Sequence, residues 1–165
     1  MEIRPGTYGD LPRLMEIYRE AREIMISCGD VNQWKPGHPS EEMIRADIDN
    51  GHCRVILDEG RLVGAFAFIP GEDPTYKVIE GEWLDADAPY ATIHRLASTF
   101  ESKGVARACF DWCWQQIRNL RVDTHEDNVI MRHCIAAAGF QYCGVIHLLS
   151  GDPRLAYQKM DQKRD

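Results

Sequence analysis

The chain has no apolar run approaching the roughly 20 residues that cross a bilayer, and Met1-Glu2-Ile3-Arg4 does not read as a signal peptide. Its six cysteines, Cys28, Cys53, Cys109, Cys113, Cys134 and Cys143, include no CxxC pair, and several lie within apolar patterns. That argues against a disulfide framework in a chain of 165 residues and favours a reduced, cytoplasmic setting. Basic residues are few: 19 Lys and Arg face 26 Asp and Glu, a net charge of -7. Affinity for nucleic acid comes mainly from Lys and Arg on phosphates, so the charge argues against a general polyanion binder. One small phosphorylated ligand stays open, because a loop's backbone can hold it. Repeats, linkers and low-complexity stretches are also missing, so residues 1–165 read as a single domain with no membrane or nucleic-acid partner.

What is present is a soluble-protein composition, 44% hydrophobic and 27% charged, long enough to bury a core. The stretch around which the rest is arranged runs from Ser98 to Cys109. Before it, Tyr90 to Ala97 reads as a strand; after it, Val105, Cys109, Trp112, Ile117 and Leu120 recur at helical spacing. A strand, a short loop and a helix start can hold phosphate, since first-turn amides lack partners and carry partial positive charge. Gly104 and Ala106 keep bulk away from those amides. The plainer alternative is an ordinary strand-to-helix turn.

In chain order, Ile3-Arg4 ends a short strand, and Asp10 with Pro12 opens a helix that Cys28-Gly29-Asp30 stops. A breaker-rich loop carrying Trp34 follows, then a helix from Ser40 to about Asn50. Residues 53–57 and 62–69 make a hairpin through Asp58-Glu59-Gly60-Arg61. Tyr76 to Leu84 is strand or irregular, and Asp85 to Pro89 is an acidic connection. After the long helix come a strand at 120–124, a helix capped by Asp127 and stopped by Gly139, and closing strands at Gln141–Leu149 and Ala156–Met160. The pattern is a mixed sheet with helices on both faces.

Arg121-Val122-Asp123-Thr124-His125-Glu126-Asp127-Asn128, then Met131, Ala138-Gly139-Phe140 and Gly144, resembles the acetyl-coenzyme A-binding region of the GNAT N-acetyltransferases. The loop from Glu101 to Ala106 resembles their Gln/Arg-x-x-Gly-x-Gly/Ala signature, and the element order matches over nearly the whole chain. The resemblance implies an α/β fold with a mostly antiparallel sheet of six to seven strands, two of them parallel and splayed apart. It implies acetyl-CoA as co-substrate, no metal, a small-molecule or peptide amine as acceptor, direct transfer in a ternary complex, and room for a homodimer. Pantetheine would lie along the backbone of Leu96, Ala97 and Ser98; the amides of Glu101, Ser102, Lys103, Gly104, Val105 and Ala106 would hold the pyrophosphate; Asn128 and Met131 would close the other side. Glu101 stands where Gln or Arg is usual, so its carboxylate has to turn outward. Ile135 stands where many relatives carry a general-acid Tyr, which keeps a non-catalytic acyl-CoA sensor as the competing reading.

Acyl transfer to an amine requires removal of a proton, because alkylammonium groups titrate near 10. His94, on the key strand, is the candidate base, as imidazole titrates nearest neutrality; Glu80 and Glu82 compete with it. Backbone amides near Leu96 and Ala97 would polarise the thioester carbonyl. Trp34, Trp83 and Glu80 suggest an aromatic and acidic acceptor pocket, weighed against core tryptophans and solvated acids. Cys109 and Cys113 read as core rather than metal ligands. Cys134 cannot form a dyad with His133, since adjacent helix residues point about 100° apart. His125 and Asp123 read as structural hydrogen-bonding groups.

Overall fold

In the computed structural model, residues 1–161 are described. The elements are β1 (Glu2–Pro5), α1 (Leu11–Ser27), α2 (Glu41–Asp49), β2 (Cys53–Asp58), β3 (Arg61–Pro70) and β4 (Glu80–Gly81). They continue with β5 (Ala91–Ser98), α3 (Val105–Gln116), β6 (Asn119–Thr124), α4 (Val129–Ala137), β7 (Gln141–His147) and β8 (Pro153–Met160). The strands form one sheet in the order β1-β2-β3-β5-β6-β8-β7-β4, and β5–β6 is its parallel pair among the described residues.

Strand alternation sorts the core into two layers. Along β3, Ala65 faces α1 and α2 with Leu14, Ile17, Tyr18, Trp34 and Ile44. Phe66 and Phe68 face the opposite way, onto Cys109, Phe110 and Cys113 of α3 and Ile135 of α4. Each large side chain buried here contributes about 1.5–3 kcal/mol. Both faces of the sheet therefore carry helices, as the sequence order implies.

Two irregularities position the site. The first is a bulge in β5: Ala65 pairs with Ala97 and Ala67 with His94, so Phe66 is opposed by both Arg95 and Leu96. Arg95 takes a φ of 54°, a left-handed conformation that costs a non-glycine residue about 1 kcal/mol or more. Its surroundings over-determine it. Asp47 of α2 accepts from Arg95 Nε at 2.9 Å and from Nη2 at 2.7 Å, and the Arg95 carbonyl accepts from Tyr18 Oη at 2.9 Å. The second is a split: β5 pairs with β6 only at Ala91↔Leu120 and Thr92↔Arg121. Beyond Thr92 the two strands have no register in common, so the facing edge of β5 is open.

Several expectations need correction. The sheet has eight strands rather than six to seven, because Glu80–Gly81 pairs with Val145 and Gly144 of β7. The stretch from Tyr76 to Leu84, read as strand or irregular, thus holds a strand of two residues. Strand β8 starts at Pro153, not Ala156, Pro being tolerated at a strand's first residue. Helix α3 ends at Gln116, so Ile117 and Leu120 continue the apolar pattern outside it. The cap of α4 is Asn128, whose Oδ1 accepts from the Met131 amide at 3.1 Å, not Asp127. Asp10 precedes α1 without capping it; its carboxylate is taken by Arg4 and by the Thr7 amide.

The acidic connection 85–89 is pinned rather than loose. Arg121, buried in the sheet, lies 3.9 Å from the ring centres of both Trp83 and Tyr90 and donates to the Asp85 carbonyl at 3.0 Å. No helix among the described residues is long and apolar enough to cross a membrane.

Candidate active site

Where β5 and β6 part, a cavity of about 830 Å³ opens. On one face of the sheet its wall is α1, with Ala21, Ile24 and Met25; on the other it is the start of α3 and the α4 helix, with Val105, Ala106 and Met131. Since α1 and α3 pack on opposite faces, the cavity runs through the sheet at the split. Its size lies in the range of ligand sites, about 300–1,000 Å³.

At the mouth, the chain leaves β5 by two tight side-chain turns. Ser98 Oγ accepts from the Phe100 amide and Thr99 Oγ1 from the Glu101 amide, each at 3.2 Å. Ser102 Oγ donates to Asp58 Oδ2 at 2.5 Å, which ties the loop to the β2–β3 hairpin. Gly104 is the residue before α3, with a φ of 81°, and a Cβ built there meets nothing within 4 Å. The amides of Val105, Ala106 and Arg107 then have no carbonyl ahead of them in the helix, because the first intrahelical bond is from Ala108 to Gly104 at 3.0 Å. Bare amides, the positive end of α3, open space above Gly104, and Lys103 and Arg107 in the cavity wall together suit a diphosphate. The open edge of β5 suits an extended amide-bearing chain.

Gly64, on β3, sets how closely α3 approaches. A Cβ there would stand 2.6 Å from Val105 Cγ1 and 2.9 Å from the Ala97 carbonyl, so the helix start seats only on a glycine.

Of the residues named from the sequence, Leu96, Ala97, Ser98, Ser102, Lys103, Gly104, Val105, Ala106, Asn128 and Met131 all line the cavity. Glu101 does not. Its carboxylate turns to Arg13 at 3.6 Å and Arg61 at 4.0 Å, and its amide is already used by Thr99. Asn128 spends its side chain within the fold, on the α4 cap and, through Nδ2, on Gln33 Oε1 at 3.0 Å. Ile135 is fully buried in the α3–α4 core.

The base and acceptor candidates lie elsewhere. His94 Nε2 is 2.8 Å from Asp73 Oδ2, and the ring sits beside Tyr76 outside the cavity wall. Burial opposes ionisation of Asp73, but His94 together with the Thr75 hydroxyl and amide outweighs it and brings the carboxyl down to about 2. Trp34 packs against Tyr18 and His38 in the α1–α2 layer. Trp83 donates Nε1 to the Tyr76 carbonyl at 3.0 Å under the Arg121 guanidinium. Glu80 and Glu82 are exposed at the β4 edge.

Two features at or beside the cavity have no sequence signature. Gln33 joins the loop after α1 to the end of β6: its Oε1 accepts from Thr124 Oγ1, the His125 amide and Asn128 Nδ2, and its carbonyl accepts from Arg154 Nη2 at 3.1 Å. Asp30 places a buried carboxylate in the cavity wall. Both sit where the chain leaves α1 for a breaker-rich loop, and the groups nearest their side chains lie about 90 residues or more away in the chain.

Comparison with known proteins gives a consistent set of relatives. No protein-family model and no curated protein sequence matches the chain. Among solved structures, an acetyltransferase of the GNAT family from Streptococcus agalactiae is 35% identical, over 98% of this chain and 96% of that one, with a TM-score of 0.88. A GNAT-family acetyltransferase from Listeria monocytogenes is 18% identical, over 96% and 93% of the two chains, with a TM-score of 0.70. A ribosomal-protein-alanine N-acetyltransferase from Brucella melitensis is 19% identical, over 98% and 100%, with a TM-score of 0.67.

Proposed function

The chain belongs to the GNAT family of acetyltransferases, and on that premise we propose that it moves the acetyl group of acetyl-CoA directly to a primary amine within a ternary complex. The observation that carries the donor half is the coincidence of the cavity with the bare first-turn amides of α3 and the open edge of β5. Val105, Ala106 and Arg107 offer their amides to the diphosphate, with Lys103 adding charge from the rim. Leu96, Ala97 and Ser98 offer backbone groups to the pantetheine arm, as an added strand would use them. The bulge at Arg95 and Leu96 re-aims the amides that follow it, which are placed to polarise a carbonyl. When bound, the co-substrate supplies an activated acetyl thioester. Everything else is done by this chain: it holds, orients and excludes water.

The outward turn of Glu101 supports the same reading. Its charge is spent on Arg13 and Arg61 rather than facing a polyanion. Loss of the family's Tyr at Ile135 leaves sulfur to depart without that acid, which a thiol allows, its ordinary pKa being about 8.5.

The test is release of free thiol from acetyl-CoA with a panel of primary amines. Amine-dependent release is expected. Tight binding of coenzyme A with no acceptor-dependent turnover for any amine would instead make this a non-catalytic sensor.

A further inference from the structure

Two carboxylates are buried among the described residues, and they differ in one respect: Asp47 is hydrogen-bonded to Arg95, whereas Asp30 is hydrogen-bonded to no donor. Asp30 closes the end of α1, its amide donating to the Met25 carbonyl at 2.8 Å, and its side chain, 2% exposed, forms part of the cavity wall. Neither oxygen has a hydrogen-bond partner. His125 Nδ1 stands 3.7 Å from Oδ1, and that nitrogen already accepts from the Asp127 amide at 3.0 Å. His125, the Gln33 amide and the Arg154 guanidinium favour the ionised form without reaching hydrogen-bond geometry, and Asp127 opposes it. Burial dominates and holds the carboxyl above the ordinary carboxylate range.

A desolvated acid with unfilled hydrogen-bond acceptor sites costs stability, and such groups collect at functional sites. The wall beside it is aliphatic, Ala21, Ile24 and Met25 of α1. It lies on the α1 side of the sheet, across the split from the diphosphate cradle. A cation on a slender apolar stem fits that surface. An acceptor bringing its own carboxylate would meet both Asp30 and Asp127.

We propose that Asp30 is the catalytic carboxylate that receives the acceptor's ammonium, and that the acceptor is a primary amine on an unbranched aliphatic stem. This rests on the acetyl-transfer reading above. The ammonium passes one proton to Asp30, which becomes the neutral acid. The freed nitrogen lone pair forms the C–N bond as the C–S bond breaks with its electrons on sulfur. The second proton lost from nitrogen goes to that sulfur, and Asp30 returns the first to water.

The experiment uses full-length wild-type protein and Asp30→Asn, with three readouts. Calorimetry measures coenzyme A binding and then n-butylammonium binding to the coenzyme A complex. Steady-state thiol release compares n-butylamine with norvaline across pH. Urea unfolding measures stability. The proposal expects coenzyme A affinity within threefold of wild type and stability equal or higher. It expects n-butylamine binding and KM weakened at least tenfold, loss of the acidic limb of kcat/KM, and norvaline as the poorer wild-type substrate. Unchanged n-butylamine binding and KM in Asp30→Asn overturns it, as does a tenfold loss of coenzyme A affinity, which would place Asp30 in the donor site. A fall in stability overturns it too, unless Asp30→Ser, which also removes the charge, keeps wild-type stability and shows the same acceptor defect. Wild-type protein that binds coenzyme A yet releases thiol with no amine refutes the transfer reading itself, and this assignment with it.

Discussion

Arg95 and Asp47 form a two-bond pair across the α2–β5 contact, Nε to Oδ2 at 2.9 Å and Nη2 to Oδ1 at 2.7 Å, with both side chains largely buried. The pair fixes the one residue of β5 that stands in left-handed geometry, and hence the bulge that aims the next amides at the cavity. Removing one partner leaves a buried charge. Asp47→Ala should cost about 3 kcal/mol in urea unfolding. The same variant should weaken coenzyme A binding, because the bulge relaxes once its guanidinium is free. Wild-type affinity in a folded Asp47→Ala protein would detach the bulge from the site.

Gly64 tests the seating of α3. Gly64→Ala adds a methyl against Val105 Cγ1 and the Ala97 carbonyl, and the carbonyl belongs to the backbone, so α3 must move. Overpacking of this kind costs about 1–3 kcal/mol. A lower melting temperature and weaker coenzyme A binding are expected together, since Val105 is both core residue and first residue of the cradle.

The Asp73–His94 pair gives a pH prediction. Hydrogen bonds hold the Asp73 carboxyl at about 2 in the folded chain, against about 3.9 for an unfolded carboxylate. A depressed carboxylate adds stability that is fully present above the unfolded value and lost as pH falls through the folded one. Unfolding free energy should therefore drop between about pH 4 and pH 2, and Asp73→Asn should flatten that arm. A slope unchanged by Asp73→Asn would show that the pair adds nothing.

How far the sequence spoke depends on how local the cause is. Val105 and the residues behind it read as a helix start because periodicity and a preceding glycine lie within a few residues. The same holds for β6 and α4 and for the β2–β3 turn. The bulge was illegible, since Arg carries no mark of left-handed backbone and Asp47, which holds it there, is 48 residues away. Trp34 and Trp83 read equally well as pocket or core; the partners Tyr18, His38, Tyr76 and Arg121 turn both into the protein. Asp30 and Gln33 lay in a loop whose meaning comes from His125, Asn128 and Arg154, residues that only the fold brings close.

The cradle at the start of α3 is the point on which the functional account stands, and coenzyme A titrated into wild-type protein, Gly104→Glu and Gly104→Asn by calorimetry tests it most directly. Asn tolerates left-handed backbone, so Gly104→Asn shows the effect of a side chain with little strain. A Cβ at Gly104 meets nothing within 4 Å, but its φ of 81° strains Glu. Gly104→Gln, which carries the same strain without the charge, is therefore titrated beside them, and melting temperatures check that all fold. The account predicts saturable binding by wild type, a modest loss in Gly104→Asn, and loss of at least a hundredfold in Gly104→Glu, where bulk and negative charge enter the diphosphate's place. Equal affinity in wild type and Gly104→Glu would contradict it.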